Sequence, residues 1–245
     1  RVARQSNGSV MVTYGETTIL AAVNAAKEPR EDLNFFPLQV EYREKHYAGG
    51  KIPGGFFKRE ARPAENEVLT SRVTDRPIRP LFPKGFKNET QIMITVLQSD
   101  GENMADVLAG VGASAALMTS SIPWNGPIAS VRVGRVDGQF IINPTRSEIA
   151  DSDIELVVSG NQETVVMVEG ESDGATESEI LDGLKQAHEV IKEIIELQND
   201  LLSEMNVVKD EFIIPEPDAS LISAIDEKLG SQVEDIVNIG DKQDR

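Results

Sequence analysis

Phe56, Phe57, Lys58 and Arg59 set two aromatic rings directly beside two cations. That pairing can grip single-stranded nucleic acid, because bases stack on the rings while the cations meet phosphates, each stack contributing roughly 1–3 kcal/mol. The same rings could instead fold back as a satellite cluster or meet another subunit, and spacing alone leaves these readings open. Arg62, Arg72, Arg76 and Arg79 follow, and the last three recur at three- or four-residue intervals that align them on one helix face. Guanidinium groups suit bidentate phosphate contact. Glu65, Glu67 and Asp75 offer them a second use, as ion-pair partners.

Other chemistries find less support. Asp151, Asp153 and Glu155 form an acidic cluster that could hold Mg²⁺ weakly, but no histidine or second anchoring group lies near it, so a solvated loop and strand edge is expected. A phosphate pocket would need glycine-rich backbone or Ser/Thr at a helix N-terminus. Asp100-Gly101-Glu102 stands there instead and would repel an anion. His46 sits beside the aromatic loop and could contact RNA, whereas His188 is expected as a packed or boundary residue of a long helix. No Ser-His-Asp arrangement, zinc spacing or Walker-type loop is present.

With 40% hydrophobic and 27% charged residues the composition is globular. The absence of cysteine excludes a disulfide framework, a thiolate metal site and a cysteine nucleophile, and fits a reducing compartment. A formal charge of -17 argues against a generic polyanion-binding surface. The charge is uneven, however: residues 41–87 hold 11 Lys and Arg against 6 Asp and Glu, and residues 147–245 hold 6 against 26. A positive island in an acidic chain can focus an anionic ligand on one place. The longest uncharged stretch, Val107 to Val131, is broken by Pro123 and Pro127 and reads as a buried helix plus loop, not a membrane span. The chain opens on Arg1, so it is expected to be a trimmed piece, with any original targeting segment left open.

The elements that must position these residues follow from periodicity. Ser9–Tyr14 and Thr17–Ala26 read as a hairpin about Gly15-Glu16, and Phe35–Tyr42 as a strand. Ala48 to Gly55 reads as an exposed, mobile loop. Asn66 to Val73 is helical, ended by about Arg76 ahead of Pro77, Pro80 and Pro83. Thr90–Leu97 is a strand and Met104–Met118 a core helix of small residues. Ile128–Val136 and Gln139–Ile142 flank the hairpin signal Asp137-Gly138, and Ile154–Val158 and Thr164–Glu169 add two strands. Thr176-Glu177-Ser178-Glu179 opens a long helix with Ile180, Leu184, Ala187, Ile191, Ile194, Leu201 and Met205 on one stripe, expected to cover a sheet. Pro215 and Pro217 mark a boundary, and Ser220–Leu229 begins another helix.

The runs Ala48 to Glu60, Thr74 to Pro83, Gly112 to Leu117 and Ile122 to Ile128 together resemble the first ribonuclease-PH-type core domain of the bacterial polynucleotide phosphorylases. The likeness extends from about Ala3 through Thr145, and the acidic helix with the segment after Pro215 resembles that family's passage into a helical linker. It implies an α+β, ribonuclease-PH-like core (ribosomal protein S5 domain 2-like) of mixed sheets and helices over 1–214, then the start of an all-helical linker domain over 215–245. It also implies a cytoplasmic, trimeric, ring-shaped nucleotidyltransferase acting in RNA processing and mRNA degradation. Such an exoribonuclease degrades RNA from the 3′ end by phosphorolysis, with Mg²⁺ and inorganic phosphate, and releases nucleoside diphosphates reversibly. Its implied partners are single-stranded RNA, a second core domain of the same chain and other RNA-degradation proteins, with no membrane.

In that family a Phe-Phe-Arg-Arg loop lines the entrance of the central channel and holds RNA. Phe56, Phe57, Lys58 and Arg59 occupy it here, with Arg72, Arg76 and Arg79 as further expected RNA contacts; Lys58 keeps the charge but lacks the planar fork. The family's active centre, Asp-x5-Asp-x-Lys, lies in the second core domain, and this chain aligns Ile149, Glu155 and Val157 with it. Isoleucine cannot ligate a metal and valine cannot donate to phosphate. The resemblance therefore implies no catalytic or metal-binding residue in this stretch, with Mg²⁺ held by the second core domain. A self-sufficient phosphorolytic ribonuclease and a purely structural oligomerisation module are the alternatives.

Overall fold

The computed structural model describes residues 2–30, 33–55, 62–214, 218–241 and 243, and divides into two units, Arg1–Phe212 and Ile213–Arg245. In the first unit, alternating apolar residues build two four-stranded sheets. β1 (Gly8–Tyr14) and β2 (Thr17–Ala25) form the expected hairpin around Gly15, whose φ of 58° is one that glycine adopts without strain. β4 (Thr90–Gln98) pairs antiparallel with β2 and parallel with β3 (Leu38–Glu44), giving the order β1-β2-β4-β3. A parallel pair demands a crossover, and α1 (Glu65–Ile78) supplies it. The second sheet is antiparallel throughout, β6-β5-β7-β8, from β5 (Ala129–Val136), β6 (Gln139–Ile142), β7 (Ile154–Gly160) and β8 (Val165–Ser172). Asp137 and Gly138 join β5 to β6 with φ of 50° and 75°, the two left-handed residues a type I′ turn requires.

α2 (Ala105–Met118) lies between the sheets, and its small residues are what let it fit. A Cβ on Gly112 would stand 2.8 Å from Ile19 Cδ1 of the first sheet, and one on Gly110 would stand 2.3 Å from Ser130 Oγ of the second. The far face of the second sheet, Val131, Val133, Leu156 and Val158, is covered by Ala187, Ile191 and Ile195 of α4 (Glu177–Ser203). The sequence is thus read into sheet, helices, sheet, helix, the mixed α+β architecture that the resemblance implies. Thr176 and Glu179 form the anticipated capping box at the start of α4.

Three expectations are corrected. β3 begins at Leu38 and not at Phe35, because Phe36 turns into a ring cluster with Phe82 and Phe86, its centroid 4.6 Å and 5.5 Å from theirs. α1 continues past Arg76 to Ile78, since Pro77 in the last turn removes a single N–H bond and Trp124 Nε1 donates to the final carbonyl, that of Ile78, at 3.1 Å. Leu201 and Met205 do not continue the buried stripe of α4; they are exposed, and Ile195 and Gln198 take the core positions. Gln198 is held by Ser114 Oγ, which donates to its Oε1, while its Nε2 donates to the Ile128 carbonyl.

In the second unit, α5 (Ala219–Val237) runs eight residues beyond the expected Leu229, started by Asp218 Oδ1 accepting from the Ser220 and Leu221 amides. Leu221, Ile222, Ile225, Leu229, Val233 and Ile236 are all exposed. Pro215 and Pro217 lie outside the described residues.

Candidate functional site

Phe56, Phe57, Lys58 and Arg59 lie outside the described residues. The segments on either side of them are described. Before them, His46–Gly49 forms a 3-10 turn closed by left-handed Gly50, and its buried Ala48 accepts from the Ser99 amide at 2.9 Å. After them, α1 begins at Glu65 with no side-chain cap from Ala64. Glu67, 8% exposed, joins the two segments: one carboxylate oxygen accepts from the Glu44 amide at 2.8 Å and the other from the Ala64 amide at 2.5 Å. Sequence reading had offered Glu67 only as an ion-pair partner. The [ST]-x-x-[DE] signature that announces such a carboxylate is absent, since alanine stands at the cap.

The three arginines of this helix region do different things. Arg79 forks onto Asp75, with Nε to Oδ2 at 2.9 Å and Nη2 to Oδ1 at 2.8 Å, and donates to the carbonyls of Phe36 and Leu38. Those bonds, with Ser71 Oγ accepting from the Tyr42 amide, occupy the outer edge of β3 and blunt it against strand addition. Arg76 pairs with Glu169 of β8 across 2.5 Å, both about half exposed. Arg72 is exposed beside Val40, Val68 and Ser71, with no ion pair among the described residues. Arg72 therefore presents its charge to solvent, Arg76 is half exposed but paired with Glu169, and most donors of Arg79 are engaged.

A cleft of about 470 Å³ opens between α1 and the second sheet, lined by Leu69, Val73, Asp106, Arg132, Glu155 and Val157 among others. Its centre is Arg132, 8% exposed, which bridges Asp106 of α2 and Glu155 of β7. Among the described residues its Nε is the one buried side-chain nitrogen or oxygen without a hydrogen-bond partner. Ile149 ends the short helix α3 (Arg146–Ile149), its Cδ1 near Gly134. The three aligned residues do not fit Mg²⁺ and phosphate: Ile149 brings only carbon, Glu155 is engaged by Arg132, and Val157 has no donor. Nor do Asp151, Asp153 and Glu155 converge. Asp153 takes a two-pronged grip from Arg135, which holds its carboxyl below the usual carboxylate range, and Arg135 reaches on to Glu179.

A second cleft, about 440 Å³, lies at the start of α2 under the loop stem and is lined by Lys45, His46, Lys51 and Arg146 as well as Glu44 and Asp106. Three of them fall within residues 45–51, inside the basic island read from the sequence; Arg146 comes from a distant stretch that no local motif tied to it. Asp100 does not face this cleft as a free charge. Its carboxylate accepts from the amides of Glu16, Glu102 and Asn103 and from Asn103 Nδ2, which hold it far below the ordinary carboxylate range and tie the β1–β2 turn to α2. His188 Nε2 meets the Asn161 carbonyl at 3.0 Å, a boundary residue as expected. Among the described residues no group of three His, Asp or Glu could hold a metal ion, and no helix is long and apolar enough to cross a membrane.

Residues 1–123 match the 3′ exoribonuclease family, domain 1, and residues 126–190 match domain 2 of the same family, so each sheet falls within one match. The chain is 47% identical over 242 residues to a polyribonucleotide nucleotidyltransferase of Thermomicrobium roseum, covering 99% of this chain and 31% of that protein. It is 48% identical to the one from Syntrophotalea carbinolica, over 100% of this chain and 35% of that protein. The enzyme of the same name from Geobacter sulfurreducens is 49% identical, over 99% and 35%. The chain spans about a third of the length of these relatives. The chain belongs to the 3′ exoribonuclease family.

Proposed function

With that family as premise, we propose that the chain is the RNA-holding, ring-building first core domain of a polyribonucleotide nucleotidyltransferase, residues 1–214, followed by the start of a helical linker domain at 215–245. The parent enzyme degrades single-stranded RNA 3′ to 5′ with inorganic phosphate, releases nucleoside diphosphates and runs in reverse. Three copies assemble as a cytoplasmic ring, and Phe56, Phe57, Lys58 and Arg59 of each copy stand at its central channel. Rings stack on bases while Lys58, Arg59, Arg72 and Arg76 meet phosphates; Arg79 positions α1 against β3. The chemistry, with its Mg²⁺, belongs to a second core domain beyond this chain.

One observation carries this reading: in a chain of net charge -17, the segment just before Phe56 sets Lys45, His46 and Lys51 on one cleft with Arg146, and Arg72 stands exposed on α1 just after it. The cleft holding Glu155 and Val157, by contrast, presents a closed Arg132 bridge and no free ligand set. The test has two arms. Oligoadenylate with Mg²⁺ and phosphate should yield no nucleoside diphosphate from this chain alone beyond a phosphate-free control; phosphate-dependent release would place the active centre here. Alanine at Phe56, Phe57, Lys58 and Arg59 together should weaken single-stranded RNA binding at fixed salt, and unchanged affinity would remove the loop from the RNA path.

A further inference from the structure

The last turns of α4 carry a surface that none of the above uses. Between 193 and 204 this helix exposes Glu193, Glu196, Asp200 and Glu204 and contains no lysine or arginine. Among those carboxylates Leu197 is 68% exposed and Leu201, one turn on, 41%. The chain then returns as a strap along the end of α2. Lys209 Nζ donates to the Leu117 carbonyl at 2.7 Å, and Asp210 is fixed to Ser121 through the Asp210 amide and the Ser121 hydroxyl. The strap leaves Met205 and Val208 exposed, Val208 at 81%, beside a cleft of about 500 Å³ bounded by Thr119, Ser121 and Glu204. An apolar ridge in a field of one sign is not a solvated helix face, which would alternate its charges and bury its leucines. The carbonyl end of the 27-residue helix adds further negative potential, with no basic residue in its last turn.

Charge selects the occupant. Residues 193–211 hold six Asp and Glu against one lysine, and that lysine is tied to a carbonyl, its ammonium half-buried and pushed down to about 8 by burial. A polyanion such as RNA is repelled. The chain's own residues 213–245 are the wrong sign too, with eight Asp and Glu against three Lys and Arg. We propose that Leu197, Leu201, Met205 and Val208, ringed by Glu193, Glu196, Asp200 and Glu204, form a docking ridge for a basic amphipathic helix of a partner protein. Its apolar face lies on the ridge, and its lysines and arginines meet the carboxylates.

The probe is a labelled synthetic helix with leucine on one face and lysine on the other, followed by fluorescence anisotropy with the whole 245-residue chain. A second peptide has each lysine replaced by glutamate, and a third scrambles the leucine face. The first peptide should bind and the other two should not. L197A/L201A and, separately, E196K/D200K should each weaken binding about tenfold or more, a change of ~1.4 kcal/mol, while circular dichroism shows an intact fold. Equal binding by L197A/L201A would reduce the contact to unspecific charge attraction and overturn the proposal. So would equal binding of the glutamate peptide, or no binding of the lysine peptide. Sedimentation is the last check: self-association of the chain that L197A/L201A abolishes would make a second copy the occupant and overturn it also.

Discussion

Glu67 offers a sharp test of how the segments on either side of residues 56–61 are joined. Its carboxylate links Glu44, before residues 56–61, to Ala64, after them, so Glu67→Ala cuts both bonds at once. A hydrogen bond to a charged group contributes about 1.5–3 kcal/mol, which would put the pair near 3–6 kcal/mol. Both freed amides belong to exposed residues, however, and water can reach them once the side chain is gone. The lower end, about 2–3 kcal/mol, is therefore expected for alanine. Glu67→Gln keeps one acceptor but turns its amide donor onto the other N–H, so about half of that loss is expected. Urea unfolding followed by circular dichroism reads the total. Hydrogen exchange reads the place: the Glu44 and Ala64 amides should lose protection while the Ser99 amide, bonded to Ala48, keeps it as an internal control. An alanine variant within about 0.5 kcal/mol of the parent, the usual range for surface changes, with both amides still protected, would refute the clamp.

Arg132→Met should leave Asp106 and Glu155 with no counter-cation; both are about a third exposed and water reaches them, so a loss of about 1–3 kcal/mol is expected, below that of a fully buried pair; calorimetry at neutral pH checks it, and parental stability would mean the bridge is dispensable. Gly110→Ala sets a methyl against Ser130 and should cost about 1–3 kcal/mol, with Ser130→Gly restoring much of the loss in the double variant; additive losses would dismiss the close approach. Glu179, lowered from 4.5 to about 2 by the Thr176 amide and hydroxyl and then by Arg135, binds its proton more weakly folded than unfolded. Its contribution is whole above pH 4.5 and is lost as pH falls toward 2, so Glu179→Gln should flatten the urea midpoint across that window, and an unaltered slope would contradict it.

Local chemistry made much of the fold legible. Gly15, Asp137-Gly138 and the Thr176–Glu179 box each place a turn or a helix start through bonds within a few residues, and each stands where the residues say. Elements whose limits depend on distant partners drifted. Phe36 leaves its strand for rings at Phe82 and Phe86, and α1 outlasts Pro77 because Trp124 meets its final carbonyl. The α4 stripe failed at Leu201 for a geometric reason: at 100° per residue it stands about 80° from Ile191, whereas Gln198 stands about 20° away. A polar residue holds the core position because Ser114 and the Ile128 carbonyl satisfy its amide, which no periodicity in α4 alone could announce.

The candidate site divides along the same line. Ile149 and Val157 are visible in the sequence as residues that cannot ligate a metal or donate to phosphate. What becomes of the remaining carboxylate is not visible, because Arg132 lies 23 residues from Glu155 and 26 from Asp106 along the chain. The buried guanidinium is shared between two carboxylates, so Glu155 is held in an ion pair and not presented as a free ligand. Carboxylates introduced at 149 and 157 alone would thus leave Glu155 occupied. Metal affinity would require displacing Arg132 as well, and the stability of the two-sheet core, which that bridge joins through α2 and β7, opposes its removal.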